Sequence, residues 1–443
     1  MTATRLVADA VLTCDGSGTV HRPGAVDIGP DGRIVRVGPP AAPVSAVDGG
    51  EWTVRRVGGL LLPGLVNAHC HSPMTLLRGQ GEGLPLRAWL HDIIWPREAR
   101  IGAEDVYWGM ALAAAEMLRF GVTTTVEMYF HDDALAEAVE TAGSRCVVTP
   151  GVAVAPGWER FGTWQERVDW ITGLREQYSA HPRIEVGFGP HSAYALPDEA
   201  IRAVGEAARR TGAPVHIHLA ESEHEGAGVS GRHGGASVPT VLADLGLFDN
   251  ERVLAAHAVW LSDDDIALLA DREVAVAHCP GSNAKLASGT ARVTDLRRAG
   301  IPVALGTDGP ASNNDLDLWE EMRLAALVAR QREGDATVLP AAEVLHMATA
   351  GGAAALGRDD LGVLESGRWA DVVRLDLDDP GFTPVLGDTD LVSHAVWSAS
   401  SSAVRDVWVA GRQVVADGVC TTVDLAEARR HVQSAAARIA TPS

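Results

Sequence analysis

The sequence predicts an α/β fold: a (β/α)8 TIM-type barrel with a small β-sandwich domain built from both termini. Three observations carry that expectation. Eight β-rich runs alternate with helix-like segments between Leu60 and Gly309. Several runs are almost wholly apolar, as strands of a parallel sheet covered on both faces must be. The flanks, residues 1–57 and 362–443, instead show short alternating runs broken by Gly/Asp turns, the pattern of small antiparallel sheets. Residues 58–361 are therefore assigned to the barrel and the two flanks to one composite β domain.

In chain order the strand runs are LLPGLVNAHCH, VTTTVEMYF, RCVVTPGVAV, IEVGFGPHS, PVHIHLAE, VLAAHAVWL, VAVAHCPGS and PVALGTDG. Helices are expected between them. PDEAIRAVGEAARRTG has Pro197 for a first turn and Gly212 for a C-terminal cap. SDDDIALLADR offers Ser262 as N-cap, with acids in its first turn. A doubly wound open sheet is the competing arrangement, but no G-x-G-x-x-G follows the first run. In the flanks, GAVDIGPDGRIVRVG, ADVVRLDL and VRDVWVAGRQVVADG read as short strands and turns.

Composition narrows the partners. The formal charge is −21, from 58 acidic and 37 basic residues, so nucleic acids and anionic membranes are poor partners. No stretch approaches the ~20 apolar residues of a spanning helix. Five scattered cysteines, never spaced C-x-x-C, suit a reducing compartment. Arg5 and Asp9 interrupt any apolar core of a leader, so a cytoplasmic enzyme with a small-molecule substrate is expected. Self-association is left open.

Titratable residues gather where barrel enzymes keep their chemistry, at the C-terminal ends of strands. They are His69 and His71 on the first run, His191 on the fourth, and His218 and Glu221 on the fifth. His257, His278 and Asp308 follow on the sixth, seventh and eighth. Alternation along a strand places His69 and His71 on one face. Any one of these residues could be a polar group satisfied by its neighbours. Several imidazoles and a carboxylate converging at one end argue for a bound cation, because such groups need partners when buried. Imidazole and carboxylate ligands suit zinc, or iron, better than magnesium or calcium. Lys285 is the only lysine, so no lysine on the fourth run can bridge a metal pair, and one metal is expected. His216 shares a strand face with His218, and periodicity alone does not rank them. His278 is expected to hydrogen-bond the SNAKL loop.

PGLVNAHCHSPMTLLRG, FGPHSAY, HIHLAES, AAHAVWL, HCPGSNAKL and LGTDGPASNNDLDLWEEMRLA together resemble the amidohydrolase superfamily. They most resemble its S-adenosylhomocysteine/methylthioadenosine deaminase branch, with triazine hydrolases as near relatives. The resemblance implies that His69, His71, His218 and Asp308 hold one divalent metal, zinc foremost. It implies that Glu221 protonates the purine ring and then the departing ammonia, that His257 polarises the attacking water, and that Asp308 takes its proton. His216 is then a barrel-lining polar residue. By the same resemblance Glu98 would bind the ribose hydroxyls, and His191 the purine or sugar, while Trp89 and Ser312 would line the pocket. The sequence departs from the branch at Thr149 and Pro150, where homocysteine-binding members carry an arginine; Arg160 is the candidate substitute. The expected reaction is hydrolytic deamination of a 6-aminopurine nucleoside. Its 5′ group is left open among S-adenosylhomocysteine, methylthioadenosine, 5′-deoxyadenosine and aminodeoxyfutalosine. A triazine-type amino- or chlorohydrolase and a non-catalytic scaffold are the alternatives.

Overall fold

The first apolar run is two strands, not one. In the computed structural model, which describes residues 2–40 and 52–440, Leu60–Pro63 pairs antiparallel with Val372–Leu375 and parallel with Ala10–Leu12. Those partners belong to a seven-stranded sheet of the flanks. Leu65–Cys70 then pairs parallel with Val122–Glu127. The division falls at Gly64, whose N–H donates to the Asp371 carbonyl (2.9 Å). This corrects the boundary expected at 57/58. Periodicity misses it because both halves of the run are wholly buried. Residues 41–51 of the expected N-terminal flank lie outside the described residues.

Every one of the eight runs contains a strand. Leu65–Cys70, Val122–Glu127, Arg145–Val148 and Ile184–Val186 form one parallel sheet. Val215–Leu219, Val253–His257, Ala275–His278 and Val303–Leu305 form a second. A parallel bridge between Phe188 and Val215 joins them, and the Asp308 N–H donates to the His69 carbonyl (3.0 Å). This is parallel α/β architecture of the TIM-barrel type, with helices between successive strands. Val66, Ala68, Val126, Val147, Leu254, Ala275, Ala277 and Ala304 form a cluster of small side chains. It is separate from the large core in which strands meet helices.

Local chemistry fixes the helix ends as the sequence suggests. The Ser262 hydroxyl accepts from the Asp265 N–H (3.1 Å) and the Asp265 carboxylate accepts from the Ser262 N–H (2.9 Å), a reciprocal cap. Gly212 ends the helix Asp198–Thr211 in the left-handed region, φ 62°, where a residue without Cβ carries no strain. Pro197 sits one residue before that helix rather than in its first turn.

The flanks hold a four-stranded and a seven-stranded sheet. Leu6, Val26, Ile28 and Ile34 from one share a core with Val11, Leu61, Val372 and Trp408 from the other. The C-terminal flank is not made of strands alone. Helix Leu425–Ala440 lies on helix Ala103–Arg119, with His431 stacked on Trp108 (centroids 4.1 Å) and Arg438 paired with Asp105 (2.6 Å). Among the described residues no helix is long and apolar enough to cross a membrane.

Candidate active site

Close backbone approach brings the strand tips together. Gly306 and Gly309 flank Asp308 in LGTDGP. A Cβ on Gly306 would lie 2.8 Å from His69 Cβ, and one on Gly309 would lie 2.7 Å from Met74 Sδ. Glycine lets the eighth strand tip reach the first. Asn67 pins the two tips, its amide donating to Thr307 Oγ1 (2.8 Å) and its oxygen accepting from the Thr307 N–H (3.0 Å). The Glu127 carboxylate holds the turn after His71 by accepting from the Ser72 N–H (2.9 Å) and hydroxyl. His257 (φ 72°) and Asp308 (φ 60°) both adopt left-handed backbone, strain of the kind that aims side chains at functional sites.

His69, His71 and His218 form one group of converging ligand atoms, and His69, His257 and Asp308 another, each within 4.8 Å. Asp308 Oδ1 is 3.3 Å from His69 Nε2 and 3.4 Å from His71 Nε2. Hydrogen bonds on the far side of each ring decide which nitrogen faces inward. His71 Nδ1–H donates to the Met128 carbonyl (2.5 Å), and His218 Nδ1–H donates to the His191 carbonyl (2.8 Å). Both rings then present an Nε2 lone pair, and these two acceptors face each other at 3.1 Å. His69 Nε2 is buried without a hydrogen-bond partner. Facing lone pairs and an orphaned ring nitrogen beside a carboxylate are what a cation resolves, and three imidazoles with one carboxylate fit zinc.

Burial pushes His69 and His191 down to about 3 and lowers His71 and His218 as well, so these rings are neutral donors of lone pairs. Burial works against the Asp308 carboxylate, yet the surrounding His69, His257 and His71 rings hold it well below the usual range. Glu221 is raised by burial, with His257 pulling against it. Burial alone would lower His257, but the facing Glu221 and Asp308 carboxylates raise it. His257 Nε2 lies 3.8 Å from Glu221 Oε2, and its Nδ1–H donates to Asn283 Oδ1 (2.9 Å).

These groups open into a cavity lined by His71, His191, His218, Glu221, His257 and Asp308 from the strand tips, and by Leu86, Trp89, Leu90, Ile94, Trp95 and Glu98 from a single segment. This covering segment has a π-helical turn at Trp89–Ile94, a geometry frequent at functional sites. Glu98 is 3% exposed. Burial raises its carboxyl to about 8, against the pull of the neighbouring Tyr129 hydroxyl and Arg160 guanidinium.

Two expected pocket residues lie elsewhere. Arg160 spends its guanidinium on the Glu98, Ala99 and Ile101 carbonyls (3.0, 2.9 and 2.7 Å) and packs over Phe161. It braces the covering segment and is not a cavity wall. Ser312 lies behind Asp308, its hydroxyl donating to Oδ2 (2.9 Å). The expected His278 hydrogen bond is absent: neither ring nitrogen has a partner among the described residues. Sequence reasoning missed Tyr129, Tyr194, Trp95 and Trp158 on the cavity wall, and Asn283 behind His257. Asn283 alone left a signal, its place in SNAKL.

The model of the Amidohydrolase family matches residues 60–414. A 5'-deoxyadenosine deaminase of Methanosarcina mazei is 41% identical over 437 residues, covering 97% of each chain. A 5-methylthioadenosine/S-adenosylhomocysteine deaminase of Pelotomaculum thermopropionicum is 39% identical over 432 residues, again 97% of each. Among solved structures, an adenosine deaminase from Xanthomonas campestris with bound zinc superimposes with a TM-score of 0.92 at 38% identity, covering 99% of this chain and 98% of that one.

Proposed function

The chain belongs to the amidohydrolase family, and from that premise we propose that it is a zinc-dependent deaminase of 5′-substituted adenosines, releasing ammonia and the inosine-type nucleoside. One observation carries the reading: Glu221, on a strand tip, and Glu98, on the covering segment, line the same cavity as the histidine–aspartate cluster. His69, His71, His218 and Asp308 would hold the metal. When bound, the cation supplies Lewis acidity and brings the pKa of water down toward about 7. His257 orients the water that attacks C6, and Asp308 accepts its proton. Glu221, whose raised pKa suits a general acid, gives its proton to the ring nitrogen. It then takes the remaining water proton from the C6 hydroxyl as the carbonyl forms and passes it to the amino group, which leaves as ammonia. The proton held by Asp308 restores Glu221. His191, tilted over His218 with centroids 4.6 Å apart, contacts the base or sugar, and Trp89 bounds the pocket. The same reading takes the parallel strands as a closed eight-stranded barrel, supported by the Phe188–Val215 bridge and the Asp308–His69 hydrogen bond. It takes the two flank sheets as a sandwich over their shared core.

No arginine or lysine is among the residues lining the cavity, which favours an uncharged 5′ group. The test is ammonia release by zinc-loaded protein across a panel of adenosine analogues and s-triazines. Turnover is expected on 5′-deoxyadenosine and methylthioadenosine, with kcat/KM above that for S-adenosylhomocysteine, and about one zinc per chain. Turnover confined to triazines, or two tightly bound metals per chain, overturns the reading.

Glu98 separates nucleoside from triazine chemistry. Ribose hydroxyls donating to Glu98 favour its ionised form over the neutral form that burial favours. A carboxylate accepting from both gains roughly 1.5–3 kcal/mol per charged hydrogen bond. Glu98→Gln is therefore expected to depress kcat/KM for ribonucleosides about ten- to a hundredfold and for 2′-deoxynucleosides less. An unchanged ratio between the two substrates removes Glu98 from sugar recognition.

A further inference from the structure

His216 is fully buried, two residues from a metal ligand, and has no place in the chemistry above. Its two nitrogens are nevertheless both engaged, and the direction of each hydrogen bond follows from where the Thr149 hydroxyl sends its proton. The Thr149 hydroxyl donates its single proton to the Glu127 carbonyl (2.8 Å). Toward His216 Nδ1, at 3.0 Å, Thr149 Oγ1 therefore offers only a lone pair, and Nδ1 must be the donor. The neutral ring then carries its lone pair on Nε2. That lone pair faces His69 Nδ1 at 2.8 Å, so His69 Nδ1 carries the proton. His69 Nε2 is left as a bare lone pair beside Asp308, in the one orientation that serves a cation. The other two ligand rings are set by backbone carbonyls, which can only accept. His69 has no such carbonyl, and its direction is passed down from Glu127 through the side chains of Thr149 and His216, which come from the third and fifth strand runs.

We infer that His216 and Thr149 are positioning residues forming a proton-ordering relay that fixes the tautomer and orientation of His69 for metal binding. The inference rests on the reading of the cluster as a metal centre. It gives Thr149, in the position where the resemblance leads one to expect an arginine, a task of its own.

Partners behind a ligand histidine typically contribute 10- to 100-fold in metal affinity. The experiment measures zinc affinity by equilibrium competition with a chelator, alongside the thermal melting of each metal-free protein. His216→Leu, which keeps volume and removes the acceptor, is expected to weaken zinc binding about 10- to 100-fold. Thr149→Val, which lets His216 choose either tautomer, is expected to weaken it less. His216→Gln can present a carbonyl oxygen where Nε2 sits, and is expected to recover much of the affinity lost in the leucine variant. A merely structural role would lower the melting of metal-free protein without this order of affinities. If His216→Leu fails to fold, the comparison of Thr149→Val with Thr149→Ser, which keeps the hydroxyl, carries the test. Variants that bind zinc as tightly as the parent, or a glutamine variant no better than leucine, overturn the relay and leave the metal centre standing. A parent protein that binds no zinc overturns both.

Discussion

Glu221→Gln is expected to retain about one zinc per chain while kcat falls by about 10²–10⁴, the span of general acid–base contributions. Both halves follow from geometry. Glu221 does not belong to either group of converging ligand atoms, so the amide leaves metal binding intact. The carboxyl lines the cavity, is buried, and is held above its usual pKa, the direction a general acid needs to protonate the ring nitrogen. Glutamine keeps the volume and cannot deliver a proton. The loss corresponds to about 2.7–5.5 kcal/mol of barrier. Zinc content and kcat measured on the same preparation decide the matter: near-parental turnover rejects the acid role, and lost zinc shows that the site needs the carboxylate for its shape.

The second large effect concerns stability, at the seam between barrel and flank sheets. Arg145, on a barrel strand, pairs through Nε and Nη2 with the Asp371 carboxylate (3.0 and 3.2 Å), and the two side chains are 1% and 4% exposed. Asp371 also accepts from the Ala410 N–H (2.7 Å), and Arg145 Nη1 donates to the Pro182 carbonyl (2.8 Å). Removing one partner strands a buried charge, which costs about 3–5 kcal/mol, whereas replacing both with apolar residues of similar size is often neutral. Asp371→Ala is therefore expected to lower the urea midpoint of zinc-saturated protein strongly. Arg145→Met with Asp371→Leu is expected to recover most of it. A midpoint unchanged in the single variant shows that water reaches the pair.

What the sequence disclosed and what it concealed divide along a physical line. Elements governed by local chemistry were legible: the Ser262 cap, the Gly212 terminus, the eight strand runs, the strand-tip histidines. Residues whose roles depend on partners distant in the chain were not. His216 reads as a polar barrel residue until its contact with His69, 147 positions away, is seen. Arg160 reads as a substrate-binding arginine until the carbonyls of Glu98, Ala99 and Ile101, at the end of the covering segment, are found to accept from it. The allocation of Leu60–Pro63 to the flank sheet was hidden because a run buried on all sides shows no alternation. Left-handed backbone at His257 and Asp308 has no signature in residues that seldom adopt it.

The covering segment places one wall of the cavity, with Glu98, in one stretch of thirteen residues, Leu86 to Glu98, while the metal cluster and Glu221 stand on strand tips gathered from the whole barrel. Clientele and reaction are thus inherited separately. A library confined to the segment can redraw which aminated heterocycles are admitted without touching the histidine–aspartate cluster, whereas the groups assigned to the hydrolytic step are spread over separate strand tips.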